Sequence, residues 1–309
     1  MREHWIPASA GMTACRPLNH TMTLLDLIDR SAARLTEAGV AFGHGTSTAF
    51  DEAAWLVLWK LGLPLDDLDS HAQDAVDAQQ QRDVQALIEQ RIATRKPAAY
   101  LTGEAWLQGV AFHVDERVIV PRSFIAELLA EGAIDPWLSD RTQRVLDLCT
   151  GNGSLAVLAA MAYPEVQVDA ADISRAALEV ARINVERHSL QGRIHLLASD
   201  GLQAVPGPYD LILCNPPYVN SASMAALPAE YRAEPAIALA GGDDGMDFIR
   251  KLLADAPAHM TDDAVLVLEI GNEREHFERA FPRLEAVWLD TSAGDDQVLL
   301  LTREALESA

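Results

Sequence analysis

Cysteines are scarce in this sequence, and long apolar runs are absent. The 309 residues include three cysteines, Cys15, Cys149 and Cys214, and none has metal-ligand spacing to another cysteine or to a histidine. Three cysteines cannot form a framework of disulfides, and Cys149 and Cys214 lie in apolar strand-like runs, where cysteine is usually a small buried hydrophobe. We therefore expect no metal site. Since no apolar stretch approaches the length of a membrane span and no secretory signal is recognisable, we expect a cytoplasmic protein without membrane association.

Basic residues are also few. Lysine and arginine number 24 against 46 aspartates and glutamates, which gives a formal net charge of −22. A field of this sign repels a phosphate backbone and attracts a basic protein, so we expect no free nucleic-acid partner. The same acidity could serve solubility alone, and the charge by itself does not decide between these interpretations. Apolar residues make up 49% of the chain, enough for a well-packed core.

The amino-terminal third of the chain divides into three parts. Residues 1–20 show neither helical nor strand periodicity, and we expect a disordered tail or a start codon assigned too early. Residues 21–97 are predicted to form a small helical domain, and short apolar runs separated by glycines predict a β-hairpin linker over residues 98–122. The predicted helices of the small domain cover about 24–35, 51–61 and 74–94.

Strand-like and helical stretches alternate in residues 123–309. Such alternation implies a mostly parallel sheet with helices on both faces. A short loop through Gly294 joins the last two strands and predicts an antiparallel hairpin. Seven strands that end in this way are typical of the methyltransferase version of the doubly wound α/β fold, which we predict for this domain. The predicted strands are 144–149, 167–171, 193–197, 211–214, 264–270, 286–289 and 297–301.

The first predicted strand of this domain runs into a glycine-containing turn. Cys149-Thr150-Gly151-Asn152-Gly153 follows the apolar strand, and an apolar helix starts just after it. Glycines at such a turn let the backbone approach a ligand closely, and the helix N-terminus offers unpaired N–H groups. Asp172 ends the next strand, where its carboxylate can accept both hydroxyls of an adenosine ribose. The pattern predicts a nucleoside-containing cofactor at this turn.

This turn alone does not identify the cofactor. Dinucleotide-binding dehydrogenases share the pattern, and a tight turn that binds nothing can have the same form. Two features favour S-adenosyl-L-methionine. Asp147 lies inside the strand before the turn, where it could meet the positively charged amino group of the methionine moiety. The other feature is the unusual end of the fourth strand.

That strand is followed directly by Asn215-Pro216-Pro217-Tyr218. Because proline cannot continue a strand ladder, the chain must turn outward at the carboxyl end of the strand, where doubly wound sheets bind ligands. Two prolines stiffen the turn and remove two backbone donors, which leaves a cluster of acceptors. An ordinary turn, or a ligand for a proline-binding module, is the alternative interpretation.

A cluster of acceptors suits a carboxamide substrate. The nitrogen of an amide is a poor nucleophile because its lone pair is delocalised into the carbonyl. If Asn215 Oδ1 and the Pro216 carbonyl each accept one N–H, the lone pair can be aimed at a sulfonium methyl group, and the site supplies orientation rather than a strong base. Tyr218 would pack on the planar amide or exclude water. We therefore predict an enzyme whose catalytic and substrate-binding residues are Asn215, Pro216, Pro217 and Tyr218.

Together these motifs resemble the protein N(5)-glutamine methyltransferases of the HemK/Prm type, over about residues 22–303. The resemblance implies a class I S-adenosylmethionine-dependent methyltransferase domain and a helical amino-terminal domain that recognises the substrate. Known substrates of the family are class 1 release factors, modified in their Gly-Gly-Gln loop, and protein three of the large ribosomal subunit. The segments that carry the resemblance are Ala99-Tyr100-Leu101-Thr102-Gly103, Val118-Ile119-Val120-Pro121-Arg122 and Asn215–Tyr218.

Three further segments resemble the branch that modifies the ribosomal protein, namely residues 42–46, 123–128 and 230–235. We therefore expect protein three of the large ribosomal subunit as the partner. Methylation of a release factor is one alternative. Amino-methylation of DNA is another, because the same motif can hold a flipped adenine or cytosine. A non-catalytic assembly factor that only binds cofactor and partner is a third.

The resemblance also implies roles for single residues. Cys149 to Gly153 would contact the methionine part of the cofactor, Asp172 the ribose, and Asn215 both the cofactor and the glutamine. The family often has glycine at the position of Cys149, and an aromatic or large apolar residue beside the adenine where this chain has Gly201, after Asp200. Leu202 could compensate for that loss. Arg122 could orient cofactor or substrate, or pin the interdomain linker.

Overall fold

The computed structural model describes residues 22–308, and the tail predicted for residues 1–20 lies outside them. Capping side chains determine where the first helices begin. Thr23 and Asp26 form a capping box at the start of the first helix, and Asp77 and Gln80 form another at the start of the fourth. The predicted helix over 74–94 therefore starts too early. The helices of this part are α1 (Leu24–Glu37), α2 (Ala49–Leu61), α3 (Leu68–His71), α4 (Ala78–Thr94) and α5 (Ala98–Thr102).

A short hairpin follows the helices. Its strands β1 (Glu104–Leu107) and β2 (Val110–His113) pair antiparallel, with Leu107 opposite Val110. Gln108 and Gly109 connect them with φ of +49° and +73°, the left-handed conformations of a tight two-residue hairpin loop.

The rest of the chain contains a seven-stranded sheet, which confirms the predicted fold. Its order is β5-β4-β3-β6-β7-β9-β8, in which β3 to β7 run parallel and β9 is antiparallel to both of its neighbours. The last strand therefore inserts between β7 and β8, which strand prediction alone does not give. The strands are β3 (Arg144–Leu148), β4 (Gln167–Asp172), β5 (Ile194–Ala198), β6 (Tyr209–Cys214), β7 (Met260–Glu269), β8 (Val287–Thr291) and β9 (Gly294–Thr302).

Helices cover both faces of this sheet. Alternate residues of a strand point to opposite faces, so Leu211 and Leu213 pack with the helix Ser154–Ala162 whereas Ile212 and Cys214 pack with the helix Asp247–Asp255. None of the helices within residues 22–308 combines the length and apolar character needed to cross a membrane. The helices of this part are α6 (Phe124–Glu131), α7 (Ser154–Ala162), α8 (Arg175–Arg187), α9 (Ser221–Ala226), α10 (Ala229–Arg232), α11 (Asp247–Asp255), α12 (Arg274–Ala280) and α13 (Arg303–Ser308).

The connection from β6 to β7 makes a long excursion before α11. A parallel bridge between Val219 and Ala240 closes this loop at its base. Within it, α10 packs against the amino-terminal helices through the buried side chain of Glu230. The excursion begins directly after Tyr218, so it joins the predicted acceptor motif to the helical part of the chain.

Candidate active site

A cavity of about 300 Å³ opens at the carboxyl ends of β3, β4 and β6. This volume is in the range of small-molecule sites, and the position is where doubly wound sheets bind ligands. The predicted site residues that line it are Arg122, Cys149, Thr150, Gly151, Asn152, Asp172, Asp200, Gly201, Asn215 and Pro217. Four others do not line it, namely Asp147, Gly153, Pro216 and Tyr218.

The turn after β3 has left-handed backbone at alternate residues, Cys149, Gly151 and Gly153. Cys149 has a φ of +63°, a conformation that costs an L-residue about 1–2 kcal/mol and that glycine adopts without this cost. Gly153 serves helix packing: a Cβ there would lie 3.1 Å from the Cβ of Ala181 on α8. Glycine at this position therefore lets α7 start close to α8, and the predicted contact of Gly153 with the cofactor stays a prediction.

Asp147 lies beneath the turn instead of in the cavity wall. It shares the face of β3 that α7 covers, and its Oδ2 accepts hydrogen bonds from Thr150 Oγ1 and from the main-chain N–H of Ala156, at 2.9 Å for the latter. Burial raises the pKa of this carboxyl to about 7. Through Oδ2 the side chain ties the turn to the first turn of α7, and its other oxygen, Oδ1, takes no part in this contact.

Two buried polar atoms at this turn have no hydrogen-bond partner among residues 22–308. They are the acceptor Asp147 Oδ1 and the donor Asn152 Nδ2. Buried polar groups are almost always paired in native proteins, so each orphan indicates a missing partner. An amino-acid moiety, with one ammonium and one carboxylate group, offers the complementary donor and acceptor. The turn therefore fits the methionine end of S-adenosylmethionine.

Asp172 ends β4 and lines the cavity. Its Oδ2 accepts a hydrogen bond from Gly151 N at 2.9 Å, and its Oδ1 accepts one from Ser174 N at 2.8 Å. Burial raises the pKa of the carboxyl above its ordinary value. Each oxygen keeps a second lone pair. Asp172 can therefore hold the glycine turn in place and still accept hydroxyl groups of a ribose.

Phe248 supplies the apolar wall where the family resemblance predicts an aromatic residue at position 201. A Cβ on Gly201 would lie 3.8 Å from a ring carbon of Phe248, and both residues line the cavity. Leu202 is buried in the core beside the cavity and does not line it. Asp200 accepts a hydrogen bond from Lys251 Nζ at 3.0 Å at the same rim.

Asn215-Pro216-Pro217-Tyr218 forms a sharp turn after β6, which we call the acceptor corner. Its side chains have different contacts. Asn215 Nδ2 donates a hydrogen bond to the main-chain carbonyl of Arg122 at 3.1 Å. Tyr218 points away from the cavity: its hydroxyl donates to Glu269 Oε1 at 3.3 Å, and its ring covers Gly271, where a Cβ would lie 2.6 Å from the ring. Burial raises the pKa of Tyr218 well above its ordinary value, so the hydroxyl stays protonated.

Arg122 pins the linker. Its guanidinium makes two hydrogen bonds to the carboxylate of Glu234, at 2.7 and 2.6 Å, and lies 5.4 Å from the ring centre of Tyr231. Of the two roles expected for Arg122, this geometry favours the structural one, although the residue also lines the cavity.

Sequence reasoning missed Phe248, Glu234 and Glu269. Glu269 accepts hydrogen bonds from Ser123 Oγ at 2.6 Å and from Tyr218, and burial raises its pKa to about 7. Glu269 ends β7, on the same edge of the sheet as Asn215, and this position could have indicated its role from the sequence. Within residues 22–308, no group of three or more His, Cys, Asp or Glu side chains is arranged to hold a metal ion.

The sheet order, the cavity at the glycine turn and the acceptor corner define a class I S-adenosylmethionine-dependent methyltransferase. Family profiles agree: one described as a methyltransferase small domain matches residues 127–230, and one described as a PrmC N-terminal domain matches residues 26–103. Among solved structures, a methyltransferase from Pyrococcus furiosus is similar, with 20% identity over 71% of this chain and 97% of that chain and a TM-score of 0.46.

Curated relatives identify the family. The ribosomal protein uL3 glutamine methyltransferase of Bordetella pertussis is 57% identical over 93% of this chain and 97% of its own length. The enzyme of the same name from Burkholderia pseudomallei is 51% identical over 90% of this chain and 94% of its own. The chain belongs to the family of ribosomal protein uL3 glutamine methyltransferases, and it is an enzyme that uses S-adenosyl-L-methionine.

Proposed function

We propose that this enzyme methylates the side-chain amide nitrogen of a glutamine in ribosomal protein uL3, which is protein three of the large ribosomal subunit. The names of the relatives support this substrate. One observation carries the chemistry. Because Asn215 Nδ2 is engaged by the Arg122 carbonyl, the Oδ1 end of the same amide is the one available to a substrate N–H.

The residues of the cavity have separate tasks in this proposal. Asp172 holds the ribose, Phe248 packs beside the adenine, and the turn from Cys149 to Asn152 holds the methionine end. When bound, S-adenosylmethionine supplies an electrophilic methyl group. Asn215 Oδ1 and the Pro216 carbonyl each accept one N–H of the target glutamine, which orients the nitrogen lone pair toward the cavity. The acceptor corner is kept rigid by the packing of Tyr218 on Gly271 and by its hydrogen bond to Glu269.

This arrangement orients the amide nitrogen and does not deprotonate it before transfer. As the nitrogen gains the methyl group it loses one of its two N–H protons, which passes from the acceptors to solvent. An amide nitrogen needs orientation more than deprotonation before transfer, and the corner presents acceptors to it. The alternative substrates use the same chemistry, so the acceptor corner does not distinguish them. The charge of −22 opposes a DNA substrate and favours a basic protein.

Mass spectrometry decides between the two protein substrates. The test compares the glutamine methylation of uL3 and of the class 1 release factors in three strains. One lacks this gene, one is complemented with the wild type, and one is complemented with Asn215→Ala. Loss of a glutamine methyl on uL3 alone, restored only by the wild type, is the expected result. Loss confined to the Gly-Gly-Gln loop of a release factor would reject uL3 as the substrate. Transfer of a tritiated methyl group to plasmid DNA, with none to uL3, would reject both proteins.

A further inference from the structure

The carboxylate of Glu234 occupies a fully buried position next to the acceptor corner. Its side chain has an exposure of 0% and accepts hydrogen bonds from Val120 N at 2.9 Å and from both terminal nitrogens of Arg122. His44 Nε2 lies 3.6 Å away, beyond hydrogen-bond distance. Burial acts to raise the pKa of Glu234, but the contacts of His44 and Arg122 outweigh it and lower this pKa below its ordinary value. A buried carboxylate that accepts this many hydrogen bonds has little freedom to move.

The Glu234 carboxylate is linked through Arg122 to the side chain of Asn215. An asparagine amide has a donor end and an acceptor end of nearly the same shape, so packing alone does not select its orientation. The main-chain carbonyl of Arg122 can only accept, and it takes the Nδ2 end of Asn215. Glu234 in turn holds Arg122 through its guanidinium and holds the preceding backbone through Val120 N.

We propose that Glu234 is the positioning residue of the acceptor corner. It holds the Arg122 carbonyl where that carbonyl keeps Asn215 Oδ1 free for the substrate amide. The inference rests on the proposed role of Asn215, but it concerns a contact within the free protein, which can be measured without substrate or cofactor.

The amino-terminal helices extend this arrangement. The Tyr231 ring lies 4.2 Å from the ring of His44, and it covers Gly43, where a Cβ would lie 2.3 Å from the Tyr231 hydroxyl. The residue before Tyr231 on α10 is buried Glu230, which accepts hydrogen bonds from Arg91 at 3.5 Å and from Arg95 at 3.2 Å. The amino-terminal helices therefore hold α10 through Glu230, whereas the carboxylate that follows α10, Glu234, forms the hydrogen bonds to Arg122. This difference supplies a matched control.

Nitrogen NMR of the free protein tests the contact directly. The sequence contains six asparagines, so selective labelling gives a small set of side-chain amides, and the Asn215 signal is the one lost in Asn215→Asp. In Glu234→Gln, which removes the charge but keeps the shape, we expect the Asn215 amide to shift and to exchange with solvent about tenfold faster. The amide of Asn184, held by His113 and Asn152 carbonyls, should not change.

Kinetics supply the second readout. Glu234→Gln should lower kcat by roughly 10–100-fold, as expected for a misplaced orienting group. The KM for uL3 and the affinity for S-adenosylhomocysteine should change less than about threefold, since a misoriented Asn215 amide affects the transition state more than the binding of either molecule. Glu230→Gln removes the charge of another buried carboxylate, four residues earlier on α10. It should affect stability without moving the Asn215 signal.

Several results would overturn the proposal. An unchanged Asn215 signal in folded Glu234→Gln rejects the positioning role, as does an equal shift in Glu230→Gln. If Glu234→Gln does not fold, Arg122→Lys tests the same link, because it keeps the positive charge and loses the paired hydrogen bonds; an unmoved Asn215 signal there also rejects the proposal. A displaced Asn215 signal with full activity would instead reject the proposed role of Asn215.

Discussion

The ring of Phe248 lies beside Gly201 in the wall of the cavity, 3.8 Å from the position that a Cβ at Gly201 would occupy. An aromatic ring from α11 thus borders the space that the family resemblance assigns to the adenine. Phe248→Ala should weaken binding of S-adenosylhomocysteine roughly tenfold, as expected for removal of an aromatic contact with a base. Calorimetric titration measures the change. The exposed ring of Phe50 on α2 provides a control, since Phe50→Ala should leave the affinity unaltered.

Asn215→Ala separates methyl transfer from cofactor binding. The substitution removes the acceptor oxygen but leaves Asp172 and the glycine turn in place, so most of the cofactor affinity should remain. The rate of methyl transfer to uL3 should fall on the order of 10²–10³-fold, by analogy with deletion of one preorganised polar contact. Single-turnover assays with labelled cofactor measure this rate. Near-wild-type turnover would refute the assignment of Asn215 as an acceptor.

Buried Asp147 should make stability depend on pH. Burial raises its pKa from 3.8 to about 7, so the native protein holds a proton that the unfolded chain releases between these values. Its contribution to stability is complete below pH 4 and is lost as the pH rises through 7, by up to about 1.4 kcal/mol per pH unit. Asp147→Asn, which stays neutral, should therefore gain stability relative to the wild type between pH 4 and 7.

Denaturant unfolding at several pH values checks this linkage. Asp29→Asn, at an exposed position on α1, is the control and should follow the wild-type curve. A constant difference between Asp147→Asn and the wild type from pH 4 to 8 would contradict the prediction.

Gly271 packs against the ring of Tyr218. Its φ is +52°, and a Cβ would lie 2.6 Å from the Tyr218 ring. Gly271→Ala should therefore displace Tyr218 and lower both stability and methyl transfer. Gly39→Ala is matched in backbone strain, with a φ of +60° and nothing within 4 Å of the added Cβ. It should lose about 1 kcal/mol of stability with full activity. Thermal unfolding and turnover measure both effects, and equal losses of activity in the two variants would argue against a specific role of Tyr218.

The net charge of −22 predicts a preference for the free substrate. Free uL3 as a basic protein should be attracted, whereas an assembled large subunit presents RNA phosphates that repel an acidic enzyme. Methylation of free unmethylated uL3 should be faster than that of unmethylated large subunits, and raised salt should narrow the difference. Equal rates on both substrates at low salt would disprove this explanation.

Much of the fold was predictable because its signals are local. Alternation of apolar strands and helices predicts the parallel sheet, and the short loop through Gly294 predicts the final hairpin. The start of α4 was missed because helical periodicity extends past the true cap at Asp77, whereas the preceding Ala75 pairs with Thr23 instead. The insertion of β9 between β7 and β8 was not predictable from local pattern, because it is a choice of partner between distant strands.

The sequence by itself determined the two motifs of the site. Proline geometry at Pro216 and Pro217 and the left-handed turn around Gly151 are properties of a few consecutive residues, so they can be recognised without a fold. Only the tertiary structure decided that Phe248 stands beside Gly201, that Asp147 lies beneath the turn, and that Glu234 holds Arg122. These contacts join residues far apart in the chain. They arise from the way helices pack onto the sheet, which no local pattern encodes.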